Sequence, residues 1–246
     1  ALSFIDVCML YGDTAATICP VSRSGRFMEV KPAPDTSLPE VPERWRQACA
    51  RVSTAADLRE ILIAAAGEFG EFPTADLAAV IDGQDFTGDA VAELEASLRA
   101  AEGTGPLTPA AAVGAAFRGV FQECVDWHGA HGPMPGFREL SRTLERVAFG
   151  PPPVTARRLL ELIHVGVVDT QFLRAPEQID TWREEGGVDV LIDATVAPQA
   201  IPSPFHDVPG VVEIGRMNEL SLPGHDSLNR SVHDDIPRWA EKVGNP

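Results

Sequence analysis

Residues 1–27, ALSFIDVCMLYGDTAATICPVSRSGRF, decide the fold that the sequence predicts. Apolar residues recur at helical spacing from Phe4 to Tyr11, and this pattern predicts a helix over residues 1–12 that ends at Gly12. A short buried strand is predicted from Thr17 to Val21, followed by polar and basic residues. A helix followed by such a strand is typical of the second half of a βαβ unit, whose first half would precede the helix.

Three segments are predicted along the chain. Residues 1–42 are the half βαβ unit and a proline-rich extended crossing segment. Residues 43–150 are a helical insertion, with N-terminal caps at Thr54 and Thr108 and with Pro109 in a first turn. Residues 151–246 hold a helix that ends at a Gly166 turn, return strands and a final helix. This order predicts an α/β fold interrupted by a large helical insertion.

Composition and charge exclude several classes of function. The 246 residues carry a net charge of −16, which argues against nucleic-acid binding and against an anionic membrane surface. No apolar stretch is long enough to span a bilayer. Because no basic residues precede the first apolar run, no signal peptide is predicted. The four cysteines form no CxxC pair, so reduced and mostly buried thiols in a cytoplasmic protein are predicted. His128 and His131 stand among glycines and a proline, which favours loop histidines over metal ligands.

Two short motifs near the N-terminus carry a resemblance to a known family. Leu2–Asp6 (LSFID) and Ser22–Gly25 (SRSG) stand where similar motifs occur in bacterial flavoproteins described as FAD/NAD(P)-binding, which have two dinucleotide-binding domains. The resemblance implies that the helix N-terminus at Ser3 faces a pyrophosphate. It also implies that residues after the strand hold the 2′-phosphate of NADPH, with no acidic residue nearby to favour NADH. These residues are Ser22, Arg23, Ser24 and Arg26. Alternatively, the two arginines are solvated turn residues.

The C-terminal third resembles the same family. Residues 188–198 (VDVLIDATVAP) look like the strand that leads back to the FAD domain, although Val196 replaces the glycine of the family motif. Residues 210–218 (GVVEIGRMN) look like the last strand of that domain, and the next helix would point its N-terminus at the flavin. The cofactor contacts that the resemblance implies here are Ala194, Thr195, Gly215, Arg216, Ser227, Leu228 and Asn229. The polar residues around Ser227 also suit a helix cap.

The resemblance refines the fold class and implies a function. The predicted fold is a pair of incomplete Rossmann-like dinucleotide-binding domains, interrupted by the helical insertion. The implied function is one part of an NADPH-dependent FAD oxidoreductase or monooxygenase acting on a small-molecule substrate. A second polypeptide would supply the FAD-binding glycine motif, which this sequence lacks. The alternative is a non-catalytic scaffold or regulatory subunit, which the missing glycine loops and Val196 favour. A cleaved chain, or a degenerate protein that has lost cofactor binding, also fits the missing motifs. No catalytic side chain or metal site is predicted.

Overall fold

The computed structural model describes residues 2–22, 24–36, 38–175, 177–192 and 241. Within these residues the regular structure is helical. In chain order the elements are α1 (Leu2–Tyr11), α2 (Glu43–Cys49), α3 (Ala55–Gly67), α4 (Thr74–Ile81), α5 (Ala90–Ala101), α6 (Pro109–His131), α7 (Phe137–Ala148), α8 (Pro153–His164) and α9 (Gln178–Glu184). No helix of the described part is long and apolar enough to cross a membrane.

Local capping explains where the predicted helices begin. The Thr54 hydroxyl accepts the backbone N–H of Asp57 at 3.2 Å at the start of α3. The Thr108 hydroxyl accepts the N–H of Ala111 at 3.0 Å, and Pro109 follows in the first turn of α6. Each hydroxyl satisfies a backbone donor that has no partner within its helix. Both predicted caps are therefore confirmed, whereas α4 was not predicted.

The first core surrounds α6, against which α2, α3, α4 and α7 pack. Two glycines of α6 allow this close packing. A Cβ atom at Gly114 would lie 2.1 Å from the carbonyl oxygen of Val147 in α7, and one at Gly119 would lie 2.3 Å from Val41 Cγ2. Neither distance leaves room for a side chain, so α6 meets its neighbours through bare backbone.

The second core joins segments that are far apart in the sequence. It contains apolar residues of α1, α5 and α8, together with Phe27, Val30, Val168 and Leu173. Helix α5 lies between α4 and α6 along the chain, yet it packs against α8 more extensively than against α6. The predicted helical middle of the chain therefore contributes to both cores.

The predicted α/β fold is wrong for the described residues, in which no strand forms. The segment Thr17–Val21 makes a single parallel bridge, between Ile18 and Val168. In this bridge the Ile18 N–H donates to Val167 O at 2.7 Å, and the Asp169 N–H donates to Ile18 O at 3.0 Å. The pairing ends there because Pro20 has no N–H to donate. No further strand of the described part lies alongside to build a sheet.

The later strand predictions also fail where the structure describes them. Strands are predicted over residues 167–175 and in a short segment after them, but the former make only the bridge at Val168 and the latter forms α9. Residues 188–192 were predicted to be a buried strand, but Val190 is 75% exposed and has no strand partner within the described residues. A strand needs a neighbour to satisfy its backbone groups, and apolar composition alone does not supply one. The predicted strand at 210–218 and the start of the final helix lie outside the described residues.

Candidate functional site

The serines of the predicted NADPH site form a turn. The Ser22 hydroxyl accepts the N–H of Gly25 at 3.0 Å, and the Ser22 N–H donates to Leu173 O at 3.1 Å. Gly25 has a φ of 63°, a conformation that glycine adopts without strain. Ser24 is exposed at this turn. The Ser22 side chain therefore shapes the turn.

Arg26 is buried directly after this turn and is fully engaged by carboxylates. It is 8% exposed. Its Nε donates to Glu93 at 3.0 Å, its Nη2 donates to Asp85 Oδ2 at 2.9 Å, and its Nη1 donates to Asp85 Oδ1. Burial alone would lower the pKa of Arg26, but the bonds and charges of Asp85 and Glu93 outweigh burial and raise it. The guanidinium is thus held as a cation by two acids.

These acids make Arg26 a poor fit for the 2′-phosphate of NADPH. A phosphate would have to displace Asp85 from a bidentate pair whose side chains are 7% and 14% exposed. It would also face the negative charges of Asp85 and Glu93. In this arrangement the guanidinium of Arg26 is already paired with carboxylates, and the Ser22 hydroxyl is used in the turn.

Asp85 also connects Arg26 to a second arginine, which is partly buried. Arg146 of α7 places Nη2 at 3.4 Å from both oxygens of Asp85. Burial raises the pKa of Asp85, but the hydrogen bonds from Arg26 and the charges of Arg146 and Arg26 lower it overall. Burial and the positive charge of Arg26 lower the pKa of Arg146. Asp85 is therefore the anion that holds two neighbouring cations together.

Glu29 is the third acid of this region, and its environment differs. Burial raises the pKa of Glu29, even though bonds from Ser97 and Thr108 and the charge of Arg146 act in the opposite direction. The Thr108 hydroxyl lies 3.4 Å from Glu29 Oε1. Because Ser97 Oγ accepts the N–H of Val30 at 2.7 Å, its proton is free to be donated to Glu29.

Arg118 of α6 completes the group. Its Nη1 donates to the carbonyl oxygen of Ala148 at 2.9 Å, and burial lowers its pKa despite the nearby charge of Glu29. We call the six residues the ion cluster: Arg26, Glu29, Asp85, Glu93, Arg118 and Arg146. Three cations face three acids, so the formal charges cancel. The cluster takes Glu93 from α5, Arg118 from α6 and Arg146 from α7, so it lies between the second core and the first.

The space around the ion cluster is small. Two hollows adjoin Glu29, one lined also by Arg118 and the other by Glu93 and Arg146. Each has a cavity volume of about 10 Å³, which is at the lower limit for one water molecule. A nucleotide or a metabolite needs a cleft many times larger. Within the described part of the chain, the hollows given beside the ion cluster are therefore too small for a nucleotide.

Of the other predicted cofactor contacts, the structure describes the position of Ser3. Ser3 lies in the first turn of α1. The remaining predicted contacts lie outside the described residues: Arg23, Ala194, Thr195, Gly215, Arg216, Ser227, Leu228 and Asn229.

His128, His131 and three of the four cysteines lie in helices. His128 and His131 belong to α6, so their predicted loop placement is wrong. His128 is 4% exposed, and its Nδ1 lies 2.7 Å from the carbonyl oxygen of Cys124. Three of the four cysteines are buried and all four are free thiols, as predicted. The described residues contain no group of three His, Cys, Asp or Glu side chains that could hold a metal ion.

Comparisons of the chain with protein-family models, with curated proteins and with solved structures found no match. The resemblance to flavoproteins consequently rests on the sequence motifs alone.

Proposed function

We propose that this chain is a non-catalytic scaffold subunit, whose helical part binds and stabilises a partner polypeptide. One observation carries the proposal. Arg26, the described cation that the flavoprotein resemblance assigns to NADPH, is instead bonded to Asp85 and Glu93 inside the ion cluster. A group used in this way stabilises the protein and is not available to a ligand.

The connections of the ion cluster suit a rigid scaffold. Arg26 and Glu29 come from an extended segment, Asp85 from the loop before α5, and Arg146 from α7. The bonds therefore join the two cores across three separate parts of the chain. Removing Asp85 would leave Arg26 and Arg146 without their shared acceptor, which disfavours relative movement of the cores.

Apolar side chains at the end of α1 support a protein partner. Met9, Leu10 and Tyr11 are 37%, 73% and 51% exposed, and they follow one another in the last turn of the helix. Adjacent exposed apolar residues are typical of surfaces that bind another protein. The net charge of −16 favours a partner with a basic surface.

The test combines nucleotide titration with native mass spectrometry. Isothermal titration with FAD and with NADPH should show no saturable binding, either for the chain alone or for the gently purified complex. Native mass spectra should show a complex with a second polypeptide that is lost in Leu10→Glu. The matched control is Val154→Glu on α8, because Val154 is also exposed, at 66%, but lies on another helix. Circular dichroism should show that both variants remain folded.

Saturable NADPH binding, with or without the partner, would contradict the scaffold proposal and favour the flavin enzyme. If both variants lose the partner equally, the end of α1 is not the surface that binds it. The NADPH-dependent FAD oxidoreductase stays a prediction from the resemblance, since most of its implied contacts lie outside the described residues.

A further inference from the structure

Two thiols meet inside the first core. Cys49 ends α2 and Cys124 lies in the middle of α6, and both are 0% exposed. Their sulfur atoms are 3.5 Å apart although the residues are 75 positions apart in the chain. Cys49 Sγ also lies 3.9 Å from Val120 O, so its thiol has a carbonyl as an alternative hydrogen-bond partner.

The packing of α2 on α6 keeps the two thiols close together. Val41, just before α2, occupies the space left by Gly119 of α6, and this contact brings the backbones of the two segments together. The carbonyl oxygen of Cys124 accepts a hydrogen bond from the His128 ring one turn later, and the Cys124 sulfur lies beside that of Cys49. The nearness of the sulfurs thus follows from the way α2 packs on α6.

Cys8 and Cys19 provide an internal comparison. Cys8 is buried in the second core, and Cys19 is partly exposed next to the Ile18 bridge. No sulfur–sulfur contact involves either of them in the described part of the chain. Burial raises the pKa of Cys8 to about 12. The close pair is therefore a specific feature of the first core.

We propose that Cys49 and Cys124 are a built-in disulfide site, which a low-molecular-weight disulfide oxidises to a bond between α2 and α6. A disulfide has a sulfur–sulfur length of about 2.0 Å, so the sulfurs need to approach by roughly 1.5 Å. Rotation of two side chains and a small shift of the seven-residue helix α2 can supply that movement.

The chemistry balances with oxidised glutathione as the oxidant. One cysteine thiolate attacks glutathione disulfide, which forms a mixed disulfide and releases the first glutathione thiol. The second cysteine thiolate then attacks the protein sulfur of the mixed disulfide and releases the second glutathione thiol. The protein loses two protons and two electrons, and these convert one glutathione disulfide into two glutathione thiols.

Burial controls the rate of this reaction. The contact with Cys49 and burial raise the pKa of the Cys124 thiol, so few molecules carry the reactive thiolate while the core is closed. Oxidation therefore waits for α2 to open from α6. Once formed, the bond closes a long loop and restricts the unfolded chain, which raises the midpoint of thermal unfolding by up to about 10 °C.

The experiment uses a Cys8→Ser/Cys19→Ser variant, in which only the proposed pair remains. The protein is equilibrated in a glutathione redox buffer containing mild urea, so that α2 opens and recloses. Intact mass should fall by two hydrogens, a peptide map should link residues 49 and 124, and the thermal midpoint should rise. A further Cys124→Ala substitution is the matched control and should show neither the mass loss nor the rise.

The same peptide map on the unmodified chain tests the pair without any substitution. Bonds from Cys8 or Cys19 to either member would overturn the assignment. So would a pair that stays reduced after equilibration, or that ends as two glutathione adducts. A lower midpoint of thermal unfolding after the disulfide has formed would show that the bond strains the core, and it would also overturn the proposal.

Discussion

The most informative perturbation of the ion cluster is Asp85→Asn. Asn has nearly the shape of Asp, but it carries no charge and presents an NH₂ group to one of its former donors. Arg26 would lose one charge-assisted bond, and Arg26 and Arg146 would remain close to each other with less compensation. The variant therefore tests whether a buried anion holds the two cores together.

The magnitude follows from burial and geometry. The Arg26 side chain is 7% exposed and that of Asp85 is 14% exposed, so water screens the lost charge poorly. Breaking a buried ion pair by removing one partner costs about 3–5 kcal/mol. Because Asn keeps one acceptor, we expect the free energy of unfolding to fall by about 3 kcal/mol. This corresponds to a fall of roughly 6–12 °C in the thermal midpoint for a chain of this size.

The chain offers a matched control in Asp82→Asn. Arg59 Nε and Nη2 donate to the two oxygens of Asp82 at 2.9 and 2.7 Å, so the pair is also bidentate. Its side chains are 28% and 41% exposed, however, and such a pair contributes about 1 kcal/mol or less. Urea unfolding followed by circular dichroism at neutral pH measures both variants. If Asp85→Asn costs no more than Asp82→Asn, the reasoning from burial is refuted.

Two further predictions concern packing and pH. Gly114→Ala should cost about 2–3 kcal/mol in thermal unfolding, because its Cβ would meet Val147 O, whereas Gly129→Ala in the same helix meets nothing and should gain about 1 kcal/mol; equal effects would contradict the close packing. Glu29→Gln should be more stable than wild type at neutral pH, because the raised pKa of Glu29 gives stability only below its ordinary value and loses it as pH rises. The lowered pKa of Asp85 contributes stability that is lost as the pH falls, so the loss of unfolding free energy in Asp85→Asn should become smaller in acid. If the stability difference from wild type does not change with pH in either variant, both predictions are wrong.

Local signals explain which elements could be predicted from the sequence. Helices α3 and α6 carry a cap and an apolar repeat within their own residues, so their starts were predicted correctly. The glycine and prolines near His128 suggested a loop, but α6 tolerates the exposed Gly129 and ends at Gly132, where φ is 81°. Helix α4 has eight residues and no side-chain cap, which leaves little local signal.

The failed predictions depended on distant parts of the chain. Whether Thr17–Val21 becomes a strand depends on a neighbour, and the described residues supply only the bridge to Val168. Arg26 stood in a motif that suggested phosphate binding, but its true partners are 59 and 67 positions away. No spacing rule links residues at such distances. The ion cluster could be found only from the folded chain.

The placement of α5 has a consequence for folding during synthesis. The elements of the first core lie between Val41 and Phe149, and α5 of the second core is the one helix that interrupts them. The first core can therefore assemble while the rest of the chain is still being made. The second core needs α1, α5, α8 and Leu173, and it therefore has a high contact order. The second core can therefore close only after Leu173 has left the ribosome, and until then α1 and α5 keep part of their apolar surface exposed.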